Sequence, residues 1–218
     1  TQRTATVITF KPDPEVFSVL EFHPDLLVRH LRELAFLNSG LSITFEDEAN
    51  EREETFRFGG GLSEFARYLN RSKSVLHPDP IYFTELTEDG QQIEVALQWH
   101  DGYSENVLPF TNTVYNRDGG THLSGFRAAL TRTINVYAQA HGLLKGMKEN
   151  LSGEDVREGL TAIIAVRVTE PRFSSQTKDK LVSADVKGWV ESVINQSLAT
   201  HLEENPAVAR TVISKCLD

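Results

Sequence analysis

The chain has 218 residues, 39% of them hydrophobic and 24% charged, enough to bury a core as one large domain or two small ones. Its 22 Lys and Arg against 31 Asp and Glu leave a formal net charge of −9, which argues against long-range attraction of the whole chain to a polyanion and makes any nucleic-acid contact a local matter. No window approaches the roughly 18 consecutive apolar residues of a membrane span, and a single cysteine, Cys216, excludes an internal disulfide.

The opening "TQRTATVITF" has neither the basic nor the apolar region of a secretory leader, so a cytoplasmic chain is expected. Its first residue, a Thr inside what reads as a strand, suggests a piece of a longer protein. "TATVITF" (4–10) alternates Thr with apolar or small residues at period two and predicts a half-buried strand, which the two prolines of "KPDPEVF" break. In "PDLLVRHLRELAFLN" (24–38), Leu27, Leu31, Leu34 and Leu37 recur at helical spacing; Pro24 suits the first turn and Gly40 the left-handed residue past the end. "LSITFED" alternates as a strand, and "EDEANEREETFRF" predicts an acidic hairpin tip returning as a second strand. Three glycines, Gly59 to Gly61, mark a flexible junction, and Leu62, Phe65 and Leu69 predict a short helix behind it. A domain boundary is placed there, separating 1–57 from 58–218.

In the second part, "PIYFTEL" and "QQIEVALQW" predict strands joined by the Asp-Gly turn of "TEDG", and "ENVLPFTNTV" predicts a third. Phe126, Leu130, Ile134 and Tyr137 share one face of a helix that packs on the sheet. "GLLKGMKENLSGEDVREGL" reads as an exposed connection with a short helix at "GEDVREGL", and Thr161 to Val168 as a buried strand. A long helix from Ala184 presents Val186, Val190, Val193, Ser197 and His201 on one face, with Ser183 as N-cap, and a last helix follows Pro206. The expected class is α+β, strands first and helices on one face of the sheet.

Generic catalytic signatures are scarce. Seven histidines without an H-E-x-x-H arrangement and one cysteine offer no metal-ligand spacing, so no metal site is assigned. "GLLKGMK" has three residues between its glycines where a phosphate loop needs four. His122 and Ser124 in "GGTHLSG" do not form G-x-S-x-G, which leaves a glycine-rich strand-to-helix turn. Six carboxylates and Arg52 between Glu46 and Glu54 fit a solvated hairpin tip or an acidic metal site. "SSQTKDK" (174–180) places Lys178, a point charge, and Gln176, an amide donor, on a turn between a buried strand and a helix. Residue types alone leave two readings open, an exposed polar turn and a loop that holds a terminal phosphate. Arg127 and Arg132 fit either a solvated helix face or contacts to a nucleic-acid backbone.

Longer stretches carry a resemblance. "HLRELAFLNSG", "TNTVYNRDGGTHLSGFRAALTRTIN", "EGLTAIIAVRV" and "EPRFSSQTKDKL" resemble, in order and over practically the whole chain, the B subunits of bacterial DNA gyrase. The paralogous topoisomerase IV subunits are less similar, since "DPIYFTELTEDGQQIEVALQWHDGYSENVLPFTNT" looks like the gyrase version. The resemblance implies the remnant of a Bergerat-type (GHKL) ATPase α/β sandwich in residues 1–57, followed in 58–218 by a transducer domain with the fold of ribosomal protein S5 domain 2. It implies that Gln176 and Lys178 bind the γ-phosphate of ATP, with Lys178 in the catalytic role. Thr6 would lie near the adenine, although Ala5 replaces the glycine of the family's "TGT". Arg127, and with it Arg132, would line a cavity through which DNA passes.

The implied function is coupling of ATP binding and hydrolysis to gate movement and strand passage in DNA supercoiling. ATP and Mg2+ would be cofactors of the intact B subunit; DNA, the gyrase A subunit and a second copy of the B subunit would be its partners. The family's general-base Glu, Mg-binding Asn, adenine-binding Asp and glycine-rich lid precede the matched text, so the chain alone is expected to be inactive. The alternative is a stand-alone module of the S5-like fold that binds nucleic acid or a protein without nucleotide.

Overall fold

The computed structural model describes residues 8–147 and 149–217. The first helix, α1 (Pro24–Leu37), begins on its proline and ends before Gly40, whose φ of +86° is the left-handed conformation anticipated there. It buries Val28, Ala35, Phe36 and Leu37, whereas Leu27, Leu31 and Leu34 of the predicted stripe are only half-buried. The reason is a thin neighbour: α1 rests on a two-stranded hairpin, β1 (Ser42–Asp47) and β2 (Arg52–Arg57), paired antiparallel from Ser42 opposite Arg57 to Asp47 opposite Arg52. The acidic tip is internally bonded. Arg52 reaches Asp25 at 2.8 Å and Glu54, and Asn50 Nδ2 donates to Asp47 Oδ2 at 2.7 Å.

After α2 (Gly61–Leu69) comes the main sheet, built from β3 (Ile81–Leu86), β4 (Gln92–Trp99), β5 (Asn106–Thr111), β6 (Val114–Tyr115) and β7 (Leu160–Arg167). Its order is β3-β4-β7-β5-β6, with β5 parallel to β7 and the other pairs antiparallel. The parallel pair requires a crossover, which α3 (Thr121–Ala140) and α4 (Gly153–Arg157) supply. The chain ends with α5 (Ala184–Glu204) and α6 (Pro206–Cys216). Helix and strand together make the α+β class.

Alternation along the strands divides two cores. Val95, Leu97, Trp99, Ala162 and Ile164 face α3, α5 and α6, while Ala96, Phe110 and Ile163 face Leu62 and Phe65 of α2 together with Phe36. Helices therefore cover both faces, not one. The continuous apolar run of β7 accounts for this, since a strand apolar on both sides needs both sides dry. On the thicker side α3 and α5 approach closely at Gly125, where a Cβ would stand 2.6 Å from the Lys187 carbonyl.

Two local readings differ from expectation. "ENVLPFTNTV" folds back at Asn112 and Thr113, with φ of +49° and +67°, so that β6 pairs with β5 instead of extending it. Asn112 tolerates that conformation, and its side chain is clamped to Val168 through Nδ2 to the carbonyl at 2.9 Å and Oδ1 from the amide at 2.8 Å. Across Gly59 to Gly61, Phe36 stacks on Phe58 and Phe65 at centroid distances of 3.7 and 4.7 Å. The glycines are thus bridged by aromatic packing.

Candidate phosphate-contact loop

Residues 172–182 form a small hairpin. The Val182 amide donates to the Arg172 carbonyl at 2.8 Å, the Ser174 amide to the Lys180 carbonyl at 3.0 Å, and the Lys178 amide closes the tip on Ser175 at 3.1 Å. Ser183 stands at the N-cap of α5, but its Oγ accepts from the Arg172 amide at 2.9 Å and serves the hairpin rather than the helix. Lys178 itself has φ +59°, an uncommon conformation for a residue with a long side chain.

The flanking strand and helix were the expected mount, yet the closest support comes from 116–121. The Leu181 amide donates to Gly119, the Thr121 amide to Leu181, and the Asp118 amide to Asp179, at 3.0, 3.0 and 2.9 Å. Gly120, at φ +139°, lies so near that a Cβ would fall 2.3 Å from the Leu181 carbonyl. The "DGG" text is therefore a docking surface for the loop. Asn116 belongs to the same support, its Nδ2 donating to the Lys178 carbonyl at 2.7 Å. The sequence marks Gly119 and Gly120 as a glycine-rich strand-to-helix turn but carries no sign that the turn supports the loop, and Asn116 carries no signal of its own.

At the tip, Gln176 and Lys178 are exposed. Lys178 Nζ stands 5.9 Å over the Phe173 ring and has no ion pair among the described residues. The neighbouring Asp179 is engaged by Arg117 at 3.4 Å and by Thr177, so the acidic group of the loop is held by partners of its own. An uncompensated ammonium and an exposed amide at one tip suit a phosphate.

Arg127 and Arg132 lie elsewhere on α3. Arg127 Nη2 donates to Glu105 Oε1 at 2.7 Å, and Arg157 takes the other Glu105 oxygen at 3.1 Å. Arg132 reaches Glu191 at 3.2 Å and Asn195 at 3.3 Å. No bond among the described residues joins either arginine to the loop. Thr6 lies outside the described residues.

His122 and Ser124 are not a base and nucleophile. Ser124 Oγ donates to the Gly120 carbonyl at 3.0 Å, while the His122 ring is buried with neither nitrogen bonded to protein among the described residues. Burial pushes the His122 imidazole down to about 4, so it is neutral at physiological pH.

Among the described residues no group of three or more His, Cys, Asp or Glu is placed to hold a metal ion. None of the helices is long and apolar enough to cross a membrane, again among the described residues.

A sequence profile described as DNA gyrase B matches residues 61–218. The DNA gyrase B subunit of Clostridium acetobutylicum is 50% identical over 212 residues, covering 97% of this chain and 33% of that protein. That of Myxococcus xanthus is 49% identical over 218 residues, covering 100% of this chain and 27% of its own. The chain thus spans a third or less of these relatives. Among solved structures, the 43K ATPase domain of Thermus thermophilus gyrase B, bound to an aminocoumarin, superposes with a TM-score of 0.82 at 36% identity, over 95% of this chain and 56% of that one. The ATP-binding domain of Francisella tularensis topoisomerase IV shares the fold, at TM-score 0.77 and 24% identity, over 94% of this chain and 55% of its own. On the profile, the identities and the superposition together, the chain belongs to the DNA gyrase B family.

Proposed function

We propose that this chain is the coupling part of a gyrase B protein, in which residues 58–218 form the transducer and residues 1–57 the end of the ATPase domain. The hairpin at 172–182 is its phosphate sensor. The observation that carries this reading is the tip itself: Lys178, exposed and without an ion pair among the described residues, on a hairpin pinned by backbone bonds to the start of α3.

When ATP is bound in the full-length protein it supplies the phosphoryl group and the charge to be sensed. Lys178 places an ammonium against a terminal phosphate oxygen, and Gln176 donates an amide hydrogen bond beside it. Charge stabilisation of this kind is strongest where water is excluded, and the contact ends when the phosphate departs. A rigid mount transmits that change. Backbone bonds from 118–121 tie the hairpin to α3, and α3 packs along α5, so displacement of the tip reaches the helical layer directly. Among the described residues no group of three or more His, Cys, Asp or Glu stands beside the hairpin to share in holding Mg2+.

Arg127 and Arg132 are the proposed DNA contacts on that layer, in a cytoplasmic enzyme working with DNA, the gyrase A subunit and a second copy of the B subunit. A stand-alone binding module has no observation in its favour.

The test is Lys178→Ala in the full-length protein. ATP turnover falls at least ~10-fold, equivalent to ~1.4 kcal/mol of transition-state stabilisation, with the circular-dichroism spectrum unchanged. Wild-type turnover would remove the phosphate role.

A further inference from the structure

Asn116 is fully buried, an unusual place for an amide side chain, and both ends of that amide are used. Its Oδ1 accepts from Thr111 Oγ1 at 2.6 Å, and its Nδ2 donates to the Lys178 carbonyl at 2.7 Å. Reversing the amide would set oxygen against a carbonyl, so this orientation is the satisfied one. The backbone is held as well: the Asn116 amide donates to the Pro109 carbonyl at 2.9 Å, and its own carbonyl accepts from Gly119 at 2.8 Å. Thr111, at the end of β5, is equally buried.

At the far end of this chain of bonds sits a strained residue. A left-handed backbone is unfavourable for a residue with a Cβ, and the exposed Lys178 side chain, with its ammonium over Phe173, makes no bond back to its own backbone that would offset this. The hydrogen bond from Asn116 to the Lys178 carbonyl opposes relaxation of that backbone, because breaking it leaves a buried amide donor unsatisfied. Rotation of the Lys178 backbone into a common conformation would swing its four-carbon stem away from the tip.

We propose that Asn116, oriented by Thr111, is a positioning residue that holds Lys178 in its left-handed conformation and so aims the ammonium at the phosphate. Asn116 touches no phosphate; it acts through Lys178. The inference rests on the reading of the loop as a phosphate contact, and its test separates the two.

Steady-state ATP turnover is measured in the full-length protein for Asn116→Ala, Lys178→Ala and the double variant. Asn116→Ala lowers kcat about 3- to 10-fold with KM for ATP changed less than about twofold, a split that marks an interaction made in the transition state. In the double variant turnover equals that of Lys178→Ala alone, because a residue acting through another loses its effect once that other is gone. Multiplied losses, or a wild-type kcat in Asn116→Ala, overturn the positioning role while leaving the phosphate role standing. A silent Lys178→Ala removes both. Thr111→Val, close in volume, gives a smaller loss in the same direction and carries the same cycle should Asn116→Ala fail to fold.

Discussion

Residues 8–58 and residues 61–217 place their apolar side chains in opposite ways. In the first region Ile8, Phe10, Val16, Phe17, Val19 and Phe22 stand more than half exposed, and the cluster private to it consists of Val28, Ala35 and Phe56. In the second, a five-stranded sheet sealed by helices on both faces removes Trp99, Phe126, Leu130 and Ile163 from water entirely. The difference lies in layers rather than composition. A two-stranded hairpin gives its helix only a narrow sheet to cover, and an isolated hairpin is marginal in water. The first region is joined to the second where Phe36 crosses to Phe65, beside Arg32 Nη1 donating to Tyr68 Oη at 2.7 Å.

The sharpest way to break that arrangement is Phe36→Ala. Loss of a buried aromatic costs about 3–5 kcal/mol, and here it also removes the stack across the glycines. Limited proteolysis should then cut near Gly59 to Gly61 in the variant, while in the native chain those bonds resist and cleavage falls in 8–23. Early cutting at the glycines in both would show that the stack does not join the regions.

A second experiment isolates the well-packed region by its titration. His122 is uncharged when folded and takes up a proton when unfolded, so it binds fewer protons in the native state. Its contribution is whole above the ordinary histidine value of 6.5 and is lost as pH falls toward about 4. Between pH 7.5 and 5 this amounts to about 2 kcal/mol. Urea denaturation at the two pH values should therefore show His122→Phe losing about that much less than the native chain. Burial lowers His77, His100 and His201 as well, and their share remains in both proteins. Equal acid sensitivity would mean that His122 is not the main titrating group.

The smallest effect on stability belongs to Arg127→Gln. Its pair with Glu105 is at the surface, where such bridges contribute at most about 1 kcal/mol, and Arg157 still neutralises Glu105. Intrinsic ATP turnover in the full-length protein stays, and stimulation by DNA weakens. Equal stimulation in variant and wild type would take Arg127 out of the DNA path.

Much of the fold is legible before any coordinates. The Leu62, Phe65, Leu69 spacing, the Asp-Gly turn, the short "GEDVREGL" helix and the unbroken Ile and Val of β7 each carry a local signal of geometry. Local signals also mislead. "ENVLPFTNTV" reads as one strand because nothing within it announces the clamp that Val168 places on Asn112. Ser183 looks like a cap, and its hydroxyl instead serves Arg172. At the candidate site, Gln176 and Lys178 could be named as a donor and a cation, but not the surface that holds them.

From the sequence alone came the element types, the α+β class, the residues able to meet a phosphate and the family resemblance, because periodicity, turn chemistry and side-chain functional groups are properties of neighbouring residues. Only the tertiary structure decided what each group meets. The bond from Asn116 to Lys178 spans 62 positions and the pair of Arg127 with Glu105 spans 22. Such partners are set by strand order and helix packing, and no residue encodes them by itself.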